Sequence, residues 1–323
     1  MGGRSALISA HRIFSRNLNT AVRSQPLIEE IRQHRVKLFD EEVQRQQQLV
    51  GRIEKIEVKY EGLPESATLI MNKSVSTPYN CAQHLGDMLL QRSVLAEVNG
   101  ELWDMHRPLE EDSVLKLLHF KMDDPQHLNQ VNRAFWRSCS FLLGAAMENA
   151  FKEDIPLVLH SFPSPNLKTG SFVYDIELGL QDWNPNGEET RQLSAAVIKM
   201  CLNNLKIQRL EIDAKIASHM FAHNSHKSEQ IPSIAEQHAS KITLYRVGDF
   251  IDISRGPMIS NTSFLGRCSI TAVHKLQATK LGGLYRFQGV AIPNDFYVNH
   301  FAYTILEERS KKLNSARVPE VPV

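Results

Sequence analysis

Apolar residues recur along most of the chain at spacings that name an element. Residues 52–60, RIEKIEVKY, set Ile53, Ile56 and Val58 among charges, which marks a strand with one face in water. ATLIMNK at 67–73 is a second short extended run. Thr77-Pro78 reads as a helix N-cap followed by proline at the first helical position, opening a helix that continues through Leu89 and Leu90. LAEVNGELWDM at 95–105 places Asn99-Gly100 between two extended runs, the sequence of a tight type I′ hairpin. SVLKLLHF at 113–120 adds a returning strand. Strand, helix, hairpin and strand in this order predict a small β-grasp domain over 51–123.

A second pattern runs from 124 to 310. A helix over about 124–151 carries Val131, Phe135, Leu142 and Met147 toward a core, and Pro156 follows it. SFVYDIELGL alternates Phe172, Tyr174, Ile176 and Leu178 with Val173, Asp175 and Glu177, a strand with one wet face. Asn186-Gly187 turns the chain into a helix near 188–205, and more helix is expected to about Asn224. Extended runs follow at 241–253, 268–275 and 283–292, with Gly282-Gly283 as a turn or bulge. Mixed helices and antiparallel strands give an α+β class. Ahead of both units, residues 26–50 read as a helix with the thin apolar face Leu27, Ile31, Leu38 and Val43. Such a helix outside a compact domain needs a surface to lie on, either protein or RNA phosphate. Arg32, Arg35, Lys37 and Arg45 suit phosphates, while Asp40, Glu41 and Glu42 make a plain solvated face an equal account.

Composition narrows the function classes. The 323 residues carry 37 Lys+Arg against 36 Asp+Glu, a formal net charge of +1, so any RNA contact is local. No apolar run approaches the roughly 18 residues that span a bilayer. Cys81, Cys139, Cys201 and Cys268 are scattered, without a metal or redox pair, and read as buried thiols in a reducing compartment. Residues 1–25 hold Arg4, Arg12, Arg16 and Arg23 with no acid before Glu29, and Leu7, Ala10, Phe14 and Leu18 on one helical face. That is the composition of a mitochondrial transit peptide. His219, His223 and His226 are spaced acceptably for a metal but lack an accompanying acid or cysteine pair, and a polar helix end accounts for them. Neither a phosphate-binding loop nor a dinucleotide turn occurs, so no cofactor is expected. Phe135, Trp136, Tyr245, Phe250, Tyr285 and Phe287 lie among periodic apolar residues and read as core.

Four ordered blocks carry a resemblance to a known family. VNGELWDMHRPLEED, with Asn99, Gly100, Leu102 and Asp104, resembles the TGS domain at the start of threonyl-tRNA synthetases. SCSFLLGAAM at 138–147, GSFVYDIEL at 170–178 and FIDISRGP at 250–257 resemble successive blocks of the synthetase's editing domain, which clears mischarged tRNA. The likeness spans about 55–300. In that family the helix matching 136–146 carries two histidines where this chain has Arg137 and Phe141, and a cysteine and histidine flank the Arg-Gly-Pro block where it has Ser254 and Met258. Arginine stays protonated at neutral pH and offers only donors, and phenylalanine has neither proton nor lone pair. Loss of one positioned acid–base group costs about 10²–10⁴ in rate, so these four slots predict no deacylase and no small-molecule substrate.

After SKKLNSARVPEVPV no class II aminoacylation domain is expected. Synthetase scaffold, lost editing groups and a targeting segment together resemble a mitochondrial large-ribosomal-subunit protein family related to threonyl-tRNA synthetase. The resemblance implies a non-enzymatic structural component in the mitochondrial matrix, with large-subunit proteins and local rRNA as partners. The helix at 26–50 and a basic tail at 311–323 with Lys311, Lys312 and Arg317 are the expected docking elements. A soluble tRNA-binding or tRNA-deacylating factor is the other reading.

Overall fold

The computed structural model describes residues 28–318, so the expected targeting segment lies outside the described residues. Five strands form the first sheet: β1 (Lys55–Tyr60), β2 (Ala67–Asn72), β3 (Leu95–Val98), β4 (Glu101–Trp103) and β5 (Ser113–Leu118). Their order is β2-β1-β5-β3-β4, with β1 and β5 parallel and the other pairs antiparallel. This is the β-grasp arrangement that the order of elements predicted. Asn99 (φ 50°) and Gly100 (φ 83°) both adopt the left-handed conformation that a type I′ turn demands. The helix expected from Thr77 through Leu90 is interrupted. It divides into α1 (Pro78–Leu85) and α2 (Asp87–Arg92), because Gly86 at φ 137° breaks the ladder between them.

The second unit is built on α3 (Pro125–Glu148), capped by Asp124, whose side chain accepts the His127 N–H. Its inward face meets β7 (Phe172–Leu178) in a four-stranded antiparallel sheet ordered β11-β12-β7-β6, with β6 at Leu157–Ser161, β11 at Leu265–Ala278 and β12 at Gly283–Pro293. A three-stranded sheet, β10-β9-β8, comprises β8 (Ile207–Asp213), β9 (Lys241–Val247) and β10 (Phe250–Ile253). Helix α4 (Gly187–Leu202) starts at an Asn186–Glu189 capping box and covers β11. The main core runs without a break into the β-grasp unit through Val94, Leu95, Leu118 and Phe120. The six aromatic residues assigned to core lie there, Trp136 only partly buried.

Further expectations change. Residues 207–213, read as helix, form β8, because Ile207, Leu210 and Ile212 find a partner strand in β9. Helices α5 (Ala214–Met220) and α6 (Ser225–Gln237) follow, the latter continuing through Pro232. Strand β7 has no wet face, since all seven of its residues are buried. Asp175 there meets the cross-strand neighbour Arg286 through two hydrogen bonds of 2.8 and 2.7 Å, and Glu177 meets His226 at 2.9 Å.

Residues 311–317 are not a free tail. After α7 (His300–Ser310), the carbonyls of Lys312, Asn314, Ala316 and Arg317 accept hydrogen bonds from Gln288 and Arg286, holding this backbone on the sheet. The side chains of Lys311, Lys312 and Arg317 remain exposed.

The N-terminal helix, α0 (Ile28–Gln48), preceding α1, packs on the chain's own second unit. Phe39 is buried among residues of β8, β9, β10, α5 and α6. Arg32 and Arg35 face inward onto Glu148 at the end of α3, and Arg32 also meets Asp249 at 3.2 Å. Arg45 is turned onto Glu42 at 2.7 Å, and Lys37 stands in solvent near Glu41. The surface this helix needed is therefore protein, reached through a buried ion pair as well as its thin apolar face.

Candidate functional site

The four slots singled out by the synthetase resemblance converge, although more than 100 residues separate Phe141 from Ser254 in the sequence. Arg137 and Phe141 lie one turn apart on α3, and the loop 254–258 leaves β10 directly beside them. Arg137 Nη1 donates to the Pro257 carbonyl at 3.0 Å. The neighbouring Ser138 hydroxyl accepts the Ile259 N–H at 3.0 Å, so α3 grips the loop at two points. Phe141 is 0% exposed, its ring centroid 5.0 Å from Phe250 and 6.4 Å from Tyr245. Met258 is buried, and Ser254 is held within the loop by a 3.4 Å contact from the Gly256 N–H. Gly256 is required here: its φ is +67°, and a Cβ would fall 1.8 Å from the Tyr245 hydroxyl.

The other side of the site comes from the β-grasp unit. Asp104, just past β4, accepts the Tyr245 hydroxyl at 2.9 Å and the Met258 N–H at 2.9 Å, with Arg209 Nε at 3.8 Å. His106 approaches the Ser260 carbonyl at 3.1 Å. Burial pushes the Asp104 carboxyl above the usual carboxylate range, against the Met258 N–H and Arg209, which favour its ionised form. Burial, then the neighbouring Asp104, raises the Tyr245 phenol well above its ordinary value. Burial also lowers the Arg137 guanidinium from its usual value, though it remains a donor.

Phe141 and Met258 fill the interior with apolar atoms, and Asp104 is committed to two hydrogen bonds. These contacts join α3, the loop after β10 and the β-grasp unit.

A second buried polar group joins α6, β7 and β10. Lys227 Nζ is 2.6 Å from Asp252, whose other oxygen accepts the Tyr174 hydroxyl at 2.6 Å. His226 stacks on His160 with ring centroids 4.4 Å apart. Burial lowers the His160 pKa to about 3, with His226 and Lys227 adding to the effect. Sequence reasoning missed this cluster, though Tyr174 and Asp252 stand inside two of the quoted blocks; Lys227 carries no spacing signal that links it to either. The three histidines considered for a metal do not converge: His219 ends α5, His223 lies in the link, both exposed, and His226 is turned inward to Glu177. An open cleft of about 60 Å³ beside α0 and β6, with Arg35 and Glu148 among its lining, is far below the roughly 300–1,000 Å³ of substrate pockets.

This fold defines a relative of the threonyl-tRNA synthetase N-terminal region. A family model described as the TGS domain matches residues 63–119, inside the β-grasp unit. The probable threonine–tRNA ligase 1, cytoplasmic, of Dictyostelium discoideum is 29% identical over 72% of this chain and 31% of its own length. Threonine–tRNA ligase 2, cytoplasmic, of Homo sapiens is 29% identical over 68% of this chain and 26% of its own. The chain thus spans about a third or less of these ligases. A large ribosomal subunit protein mL39 of Drosophila melanogaster is 53% identical over 88% of this chain and 85% of its own length. The chain belongs to the mL39 family of large ribosomal subunit proteins.

Proposed function

We propose that the protein is a structural, non-catalytic component of the large subunit of the mitochondrial ribosome, supporting mitochondrial translation from the matrix. The observation that carries the reading is the filled site: Phe141 and Met258, both essentially unexposed, occupy the slots of proton-transfer groups. The 53% identity to a large ribosomal subunit protein supports it independently. The net charge of +1 favours a seat mostly against proteins with local rRNA contacts. Of the cations expected at such contacts, Arg32 and Arg35 are buried on Glu148, whereas Lys37, Arg45, Lys311, Lys312 and Arg317 lie exposed. The exposed five are the proposed RNA contacts.

Sedimentation of mitochondrial lysate tests the reading: the chain co-migrates with the large subunit, whereas a soluble tRNA factor stays near the top of the gradient. Incubating the purified protein with threonine tRNA charged with serine tests the enzymatic alternative. Release no faster than the uncatalysed rate is expected, and turnover abolished by substitutions around Asp104 and Tyr245 would contradict it.

A further inference from the structure

Beyond α7 the chain is fixed as a strap whose cationic side chains are left in solvent. Its backbone is held from below: Gln288 Nε2 donates to the Lys312 carbonyl at 2.8 Å and Arg286 Nη1 to the Ala316 carbonyl at 2.7 Å, while His274 Nε2 lies 3.1 Å from the Lys311 carbonyl. Asn314, 5% exposed, is the pin. Its Oδ1 accepts the Ala316 N–H at 2.9 Å, and its Nδ2 donates to the Thr169 hydroxyl at 3.0 Å and the Ser171 carbonyl at 2.9 Å. The strap is thereby set against the 3₁₀ turn Leu167–Thr169. Just past that turn Gly170 adopts φ +83°, and Arg309 Nε of α7 lies 3.2 Å from where a Cβ would stand.

Charge selects what this surface meets. Segments 164–171 and 307–318 together carry Lys168, Arg309, Lys311, Lys312 and Arg317, all exposed, against Glu307 and Glu308. Glu307 accepts the Ser269 hydroxyl at 2.6 Å, and Glu308 pairs with Lys311 at 2.5 Å. The surroundings have the opposite sign: with the four arginines of 1–27 and Glu320 set aside, 37 Lys+Arg and 36 Asp+Glu become 33 and 35 over residues 28–318. Cations gathered on a slightly acidic body make a local positive field. A nucleic-acid backbone, with a charge at every nucleotide, fits cations strung along an extended strap, whereas isolated exposed pairs with a protein's carboxylates contribute little. The backbone beneath those cations is already fixed, so little ordering is left to pay for on binding.

We infer that the strap 311–317, with Lys168 and Arg309 beside it, is a preformed seat for the phosphate backbone of large-subunit rRNA, and that Asn314 is its positioning residue. The inference rests on the ribosomal reading above and joins three contacts named there singly into one site with two further cations. Two experiments on the full chain test it. Large subunits purified from cells are irradiated with ultraviolet light and digested with nuclease and protease, and peptides bearing a nucleotide remnant are sequenced; remnants on 164–171 or 307–318 are expected. The purified chain is also titrated with a short single-stranded uridine RNA over a salt series. Lys168→Ala with Lys312→Ala leaves the urea midpoint in place and reduces the salt slope by about 1.4, two contacts at ~0.7 each. Asn314→Ala removes no cation, so it keeps the slope but weakens binding about tenfold, the order of fixing one backbone residue. An Asn314 that only braced the fold would lower the urea midpoint and leave RNA affinity unchanged. An unchanged slope in the double variant overturns the inference alone. So does a chain that co-sediments with the subunit yet carries no remnant on these segments, the outcome if an acidic protein covers the strap. A chain absent from the large-subunit fraction overturns the ribosomal reading and this inference with it.

Discussion

Replacing Phe141 by alanine is the most direct test of a filled site. The ring is wholly buried and meets Tyr245 and Phe250. Removing it takes about 150 Å² of aromatic surface out of the core, worth about 4 kcal/mol at ~25 cal/mol per Å². That falls within the roughly 3–5 kcal/mol range of phenylalanine truncations in rigid cores. Urea unfolding of the full chain is the assay, followed by tryptophan fluorescence, since Trp136 and Trp183 both pack against this core. Phe301→Ala serves as the control: at 78% exposure it shifts stability by no more than about 0.5 kcal/mol. Phe141→Leu keeps most of the apolar volume and costs less than the alanine variant. A loss below about 1 kcal/mol for Phe141→Ala would mean that the pocket is open and hydrated, and the account of a site converted into core would fail.

Three further outcomes follow from the same contacts. Glu148→Ala leaves the inward-facing Arg32 and Arg35 without their shared partner, at a cost of about 3–5 kcal/mol, read as faster hydrogen exchange along 28–48; unchanged protection there would show that apolar packing alone seats α0. Asp104→Ala orphans the Tyr245 hydroxyl and the Met258 N–H at about 1–3 kcal/mol and loosens the 254–260 loop to protease, while Asp104→Asn keeps an acceptor and loses less; equal losses would refute a hydrogen-bond origin. Stability falls on acidification because His160, with a folded-state pKa of about 3, stays neutral while its unfolded counterpart takes a proton below about pH 6.5. The unfolded chain then binds more protons, so this loss runs from about pH 6.5 toward pH 3 at up to ~1.4 kcal/mol per pH unit, and His160→Gln flattens the slope in a urea series.

Local chemistry had already determined much of this fold. The Asn99-Gly100 pair specifies a type I′ turn because both positions need positive φ, and the Asp124 and Asn186 caps set where two helices begin. The absence of a proton acceptor at positions 137 and 141 was likewise a matter of residue type, readable once the resemblance aligned those slots. What the sequence left undetermined are properties of distant pairs. Residues 207–213 have a spacing that fits either a helix or a strand, and pairing with β9 decides it. Strand β7 shows polar alternation that signals a wet face, until Arg286 and His226 arrive from elsewhere in the chain to neutralise Asp175 and Glu177. Arg32 and Arg35 resemble phosphate contacts until Glu148 is folded beneath them. Asp104 and Tyr245, 141 residues apart, meet only after two units dock. A charge or hydroxyl has no fixed meaning along the chain, because its energy depends on which partner and how much water surround it, and only the tertiary structure supplies both.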